Sequence, residues 1–305
     1  MKVYRDLTSI TEIKNPVLTI GTFDGVHQGH RAIIKKVNEI AREIDGESVL
    51  LTFYPHPRKV LFGDDSLKLI NTVEEKAELL EEEGIKHFIV HPFTREFSRL
   101  NAFEYVRDII VSGIAAKVVV VGYDHHFGRN REGGMEQLKE YAKLFEFEIY
   151  EIPAEQIDNV KVSSTKIRTA IEEGNIEQAN TFLTRPFSLW GIVVKGDELG
   201  RTMGFPTANM QLSKEKILPK DGVYAVDVIV KGNKLRGMMN IGVRPTVNIS
   251  DEQRVEVNIF DFNQDIYGEN IKVEVLKKIR NEKQFATLDE LKSQIQNDKL
   301  MALNV

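Results

Sequence analysis

"GTFDGVHQGH", residues 21–30, joins a short apolar run, Val17–Ile20, to an amphipathic pattern that begins at Arg31. Two of the seven histidines, His27 and His30, stand three apart in it, with Gly25 before them and Gly29 between them. Glycines free the backbone of a strand-to-helix turn, and a helix start offers unpaired N–H groups and a positive dipole end to anions. The residues alone leave three readings open: a metal pair, a phosphate cradle or a plain surface turn.

The rhythm of strand then helix continues outward from this stretch. Strands are predicted at Val17–Ile20, Ser48–Phe53, His87–Val90, Lys117–Val121 and Glu146–Tyr150, with helices at Arg31–Glu43, Val73–Glu83, Ala102–Val111 and Met135–Leu144. Such alternation implies βαβ units and a parallel sheet. Ligands of open parallel sheets sit beyond the carboxyl ends of the strands. Four unusual stretches fall there: residues 21–30, YPHP at 54–57, HPFTREFS from His91, and GYDHHFGRNREGG at 122–134. Helices near Thr165–Glu173 and Ile176–Leu183 follow, and SSTKIR at 163–168 makes a second helix start with hydroxyls and two cations. Two helix starts aimed at one edge suit a polyphosphate.

Arg185-Pro186 halts the second of these helices, and the texture changes. Val223–Val230 and Leu235–Ile241 flank a hairpin turn within Lys231–Lys234, while Arg254–Phe262 and Ile271–Val275 alternate by twos. This reads as an antiparallel barrel. Thr287 and Glu290 form a capping box for a closing helix to about Ala302. The boundary between a first domain, 1–185, and a second, 186–305, is expected at this change.

At 305 residues the chain has room for two such cores. Its net charge of -5 opposes a protein built to grip nucleic acid. The absence of cysteine removes disulfides, thiolate nucleophiles and cysteine zinc sites. No signal peptide and no membrane-length apolar run is evident, so a cytoplasmic protein without a membrane partner is expected.

A second constellation opens the second half: WGIVVKGDELGRTMGFPTANM, residues 190–210. It lacks the GxxxxGK[ST] pattern of a P-loop. Thr207 and Asn209, two apart, face the same side of an extended segment, and their oxygens suit Mg²⁺. A glycine-rich barrel turn with two exposed polar residues is the competing reading. In RVEVNIFDF, residues 254–262, the period of two puts Glu256 and Asn258 opposite Val255, Val257 and Ile259.

With its HxGH pattern at 27–30, the first half resembles the nucleotidylyltransferase superfamily, a Rossmann-like fold. GxFDGxHxGH together with TFYPHP and VGYDHHFGRNREGG resembles the FAD synthetase module of the bacterial bifunctional riboflavin kinase/FMN adenylyltransferase family. GRTMGFPTAN, NIGVRPT at 240–246 and EVNIFDF resemble its kinase module, a six-stranded antiparallel barrel with a C-terminal helix. The resemblance implies riboflavin, FMN, FAD and ATP as ligands, Mg²⁺ as cofactor and no nucleic acid. It implies that His27 and His30 bond the α-phosphate, that Ser164, Thr165 and Arg168 hold the β- and γ-phosphates, and that Gly21, Phe23, Asp24, Gly25 and Gly29 shape the nucleotide site. His56, Asp124, Arg129 and Asn130 would face the flavin. In the barrel it implies Thr207 and Asn209 on Mg²⁺–ATP and Glu256 as general base. Lys195, Gly200, Arg201, Thr202, Gly204, Phe205 and Pro206 would lie over the phosphates. Asn258 stands where many family members carry histidine, which supports the alternative of a single-activity FAD synthetase with an inactive barrel; a non-catalytic flavin- or nucleotide-binding regulator is a separate alternative.

Overall fold

In the computed structural model, which describes residues 1–153, 162–196, 200, 204–243 and 253–305, the chain divides into two units, Met1–Ser164 and Thr165–Val305. The first is a six-stranded parallel sheet: β1 Lys2–Tyr4, β2 Val17–Ile20, β3 Ser48–Tyr54, β4 His87–Pro92, β5 Val118–Gly122 and β6 Glu148–Ile152, in the order β1-β4-β3-β2-β5-β6. The four inner strands, β2 to β5, bury both faces, which is why they read as continuous apolar runs. On β5, Val119 and Val121 join one core layer while Val118 and Val120 join the opposite one. Strand order reverses at β2, between β3 and β5. The crevice beyond its carboxyl end is therefore the topological switch point, and residues 21–30 follow it directly.

Several local expectations change. Strand β1 is too short to show a period; it pairs with β4, and the Tyr4 hydroxyl lies 3.0 Å from His87 Nδ1. The predicted helix Ala102–Val111 is an α-turn, Ala102–Tyr105, that widens into a π-helix, Val106–Gly113, with Val106, Ile109 and Ile110 turned to the core. Strand β6 starts two residues late because Glu146 caps the helix Met135–Phe145 in the left-handed region, at φ 59°. A short helix, Pro57–Phe62, was not foreseen; proline at its first position and His56 as its cap explain it.

The second unit is a closed antiparallel barrel: β7 Phe187–Val194, β8 Ala208–Leu212, β9 Gly222–Val230, β10 Asn233–Val243, β11 Gln253–Ile259 and β12 Asn270–Arg280, in the order β10-β11-β8-β7-β12-β9. The β9–β10 hairpin closes on two residues, Lys231 and Gly232, at φ 49° and 78°. Two left-handed residues match the strand twist. The helices Ser164–Glu172 and Ile176–Leu183, expected with the first half, lie within or at the edge of this unit. The Asn180 amide bonds the Val275 carbonyl at 2.9 Å and accepts from the Phe187 N–H at 2.7 Å, which ties the second helix to the barrel. The closing helix runs Leu288–Leu303, with Thr287 accepting from the Glu290 N–H. Its capping box is shifted: the Glu290 carboxylate takes the Ala286 N–H rather than that of the cap residue. Arg280 holds the helix through Asp298, with contacts of 2.8 and 3.0 Å to a carboxylate that is almost wholly buried.

Candidate functional site

At the switch point, residues 21–27 make an unusual turn. Phe23 and Val26 have φ of 45° and 38°, and Gly25 has φ of 92°. Positive φ is costly for a β-branched residue, so the surroundings must hold it. The helix Gln28–Glu43 starts immediately, with His27 as its N-cap and His30 one turn in. The two imidazoles stack, with centroids 3.7 Å apart and planes inclined by 17°. The Phe23 ring lies 4.8 Å from that of His30, on the buried side, so it backs the histidine rather than facing outward. A Cβ at Gly29 would touch the His27 ring at 3.4 Å, an ordinary contact distance.

Two expected nucleotide contacts point elsewhere. The Asp24 carboxylate, 1% exposed, accepts the N–H groups of Ile70 at 3.0 Å and Asn71 at 3.1 Å. The Ser164 hydroxyl donates to the Asp24 carbonyl at 2.8 Å. Thr165 and Arg168 lie on the helix that Ser164 opens, within the second unit.

The remaining predicted residues of this unit gather on loops at the same sheet edge. His56 Nδ1 accepts the Arg58 N–H at 3.2 Å, so a neutral His56 carries its proton on Nε2. In residues 122–134, Phe127 and Gly133 pair as a bridge, and a side chain at Gly133 would collide with the Phe127 ring at 2.6 Å. Asp124, Arg129 and Asn130 are exposed on that loop. Burial pushes the neighbouring His125 down to about 4, against the opposing pull of Asp124. Phe53, Phe93, Phe97, Tyr105 and Phe127 pack ring on ring behind this edge.

In the barrel, strand register assembles the site. Glu256 on β11 lies directly opposite Asn209 on β8, and the Thr207 hydroxyl is 3.4 Å from the Glu256 carboxylate. Residues 49 apart in sequence thus meet, as the alternation of β11 predicts. Asn258, on the same face, is 6% exposed and donates its amide to the Pro206 carbonyl at 2.6 Å. That bond fixes the turn leading into Thr207. Gly196 is required by contact: a Cβ there would sit 2.0 Å from the Asn209 amide nitrogen. Gly200 receives the Phe205 N–H at 2.8 Å, Gly204 has φ of 85°, and Lys195 is exposed. Arg201, Thr202 and residues 244–246 of NIGVRPT lie outside the described residues. A cavity of 440 Å³ adjoins Thr207, lined by Val193, Pro206, Val257, Ile259, Ile266 and Tyr267 among others.

Sequence reasoning missed Lys76 and the cavity. The Lys76 ammonium is buried and donates to the Thr22 carbonyl at 2.5 Å. The signal was present: Thr72 and Glu75 form a full capping box, and Lys76 follows Val73 and precedes Leu79 and Leu80 on the apolar stripe.

A family description of FAD synthetase matches residues 9–166, and one of riboflavin kinase matches residues 183–305. The bifunctional riboflavin kinase/FMN adenylyltransferase of Escherichia coli K12 is 39% identical, covering 99% of this chain and 97% of that protein. The Bacillus subtilis protein of the same description is 38% identical over 94% of this chain and 91% of its own length. A crystal structure described as a macrolide-efflux protein from Streptococcus pneumoniae superposes with a TM-score of 0.88 at 35% identity, covering 100% of this chain and 99% of that one. Among the described residues, no helix of the present chain is long and apolar enough to cross a membrane. The chain therefore belongs to the bacterial bifunctional riboflavin kinase/FMN adenylyltransferase family, ATP-dependent enzymes of FAD synthesis.

Proposed function

We propose that the two activities are housed apart: residues 1–185 adenylylate FMN, and residues 186–305 phosphorylate riboflavin. The observation that carries the reading is the meeting of Glu256, Thr207 and Asn209 across β8 and β11. A base and two neutral oxygen donors at one place are what a hydroxyl-to-phosphate transfer needs.

In the barrel, Glu256 takes the proton of the ribityl 5′-hydroxyl as its oxygen attacks the γ-phosphate, and ADP leaves. Thr207 and Asn209 supply only oxygen donors, which suits Mg²⁺. Among the described residues no cluster of three His, Cys, Asp or Glu side chains forms a protein cage for a metal. Two neutral oxygens suit a cation that arrives on ATP, where it would neutralise phosphate charge. Lys195, Gly200, Gly204, Phe205 and Pro206 close over the phosphates. The cavity beside Thr207, with its apolar wall, takes the adenosine end.

In the sheet unit, an FMN phosphate oxygen attacks the α-phosphorus of ATP in line. A phosphorus–oxygen bond forms there as the bond to the β-phosphate breaks, and pyrophosphate leaves. His27 and His30 donate to the oxygens on which charge develops. Gly21, Gly25 and Gly29 keep the backbone close to the nucleotide. Thr165, Arg168 and the helix start at Ser164 hold the β- and γ-phosphates. His56, Asp124, Arg129 and Asn130 position the flavin. Both reactions draw on ATP, which supports a cytoplasmic location.

Thr207→Val and Asn209→Leu test the metal assignment. Each raises the Mg²⁺ concentration needed for half-maximal FMN formation, while FAD formation from added FMN keeps its Mg²⁺ dependence. An unchanged requirement for FMN formation removes both residues from the metal.

A further inference from the structure

The turn that carries the histidines is held by charges that never reach its outer surface. Thr22, Phe23, Asp24 and Val26 are connected inward. The Thr22 carbonyl receives the Lys76 ammonium at 2.5 Å and the Thr52 hydroxyl at 3.3 Å. The Asp24 side chain receives Ile70 and Asn71 N–H groups, and its carbonyl receives Ser164. Lys76 is 7% exposed and Asp24 1% exposed. Burial lowers the Lys76 pKa, and Asp24 is the charge that opposes this. Left-handed φ at Phe23 and Val26 persists only where the surroundings over-determine it. The inward bonds of residues 22–24 do so here.

We propose that Asp24 and Lys76 are a buried pair of positioning residues that fixes the 21–27 turn, and through it the stacked imidazoles of His27 and His30, without either touching ATP. Ser164 joins them as a third brace through the Asp24 carbonyl. The arrangement explains an aspartate beside a phosphate site, where a carboxylate facing ATP would repel it. Turned inward, it serves instead as counter-charge and as backbone acceptor. Removing one charge alone takes away the attraction that the two buried groups exert on each other. Removing both charges leaves neutral groups of similar size.

This inference rests on residues 21–30 being the adenylyl-transfer site. It is tested with the full chain and added FMN, ATP and Mg²⁺, reading FAD formation, with FMN formation from riboflavin as the internal control of an intact protein. Asp24→Asn and Lys76→Met each lower kcat for FAD formation by about 100-fold, the scale expected when reacting groups are misplaced by about 1 Å. KM for ATP stays within about threefold, because no ATP contact is lost. The Asp24→Asn/Lys76→Met double variant recovers at least about tenfold in kcat over either single variant, within the range of coupling between neighbouring residues. Ser164→Ala, the mildest change, lowers kcat without raising KM for ATP. Where a single variant fails to accumulate as folded protein, recovery of fold and kcat in the double variant is the same reciprocal rescue. A raised KM for ATP in Asp24→Asn, with no recovery on adding Lys76→Met, overturns the pair and makes Asp24 a nucleotide ligand. Failure of the underlying site reading looks different: His30→Ala would then make FAD at the normal rate.

Discussion

As proposed above, the two sites hold ATP phosphates, and they are built by opposite means. In the sheet unit the work falls to a single turn with left-handed residues, wedged between β2 and a helix start and pinned from below by buried polar groups. In the barrel it falls to strand register: Glu256 faces Asn209 because β11 and β8 are paired, and the side-chain period does the rest. A turn-built site depends on every brace beneath it. A register-built site survives loss of one neighbour, since the ladder still fixes its backbone.

The contrast is broken or sharpened by substitution. The largest effect is expected at Glu256→Ala, which lowers FMN formation by about 10²–10⁴-fold, the usual share of a positioned general base. Steady-state assay with riboflavin checks it, and normal FMN formation would refute the base assignment. His30→Ala lowers FAD formation from FMN by about 10²–10³-fold, the scale of one lost donor to a developing oxyanion. Gly196→Ala presses a methyl group onto the Asn209 amide and lowers FMN formation by up to about 100-fold; FAD formation from FMN is the control that stays constant. Asn258→Ala loses one bond to the Pro206 carbonyl and costs FMN formation up to about tenfold, the scale of a single hydrogen bond. If it costs as much as Glu256→Ala, register alone does not hold the barrel site.

The smallest effect concerns pH. The His125 pKa is lowered to about 4 in the folded chain from an ordinary value of 6.5. Between those values the unfolded state binds more protons, so stability rises with pH. This contribution is complete above about pH 6.5 and is lost as pH falls toward about 4. The groups acting on the ring are Asp124, which opposes the shift, and His126 and Arg131, which add to it. His125→Asn flattens thermal stability across this window, read as Tm against pH; an unchanged slope would assign acid sensitivity elsewhere.

The same contrast explains what the sequence revealed. Periods of two and runs of buried aliphatics are properties of a strand's own residues, so β2 to β6 and the Glu256 face were legible, with boundaries off by a residue or two. The motif turn was legible as a location, because glycines and histidines at fixed spacing mark a helix start. Its support was not. Asp24 faces Ile70 and Asn71 across 46 and 47 residues, and Lys76 reaches Thr22 across 54. No local period encodes such partners. A lysine on the apolar stripe of Val73–Glu82 was the one clue, and it reads as a lapse in amphipathicity until the turn above it is seen. Likewise β1 is fixed by its partner strand, and the shifted cap at Ala286 by where the chain arrives.

The central claim, two independent sites on one chain, is tested most directly by mixing variants. His30→Ala and Glu256→Ala are each given riboflavin, ATP and Mg²⁺, alone and together, and flavins are separated by chromatography. His30→Ala alone stops at FMN, Glu256→Ala alone leaves riboflavin unchanged, and the mixture makes FAD. FAD from either variant alone, or none from the mixture, would contradict the account.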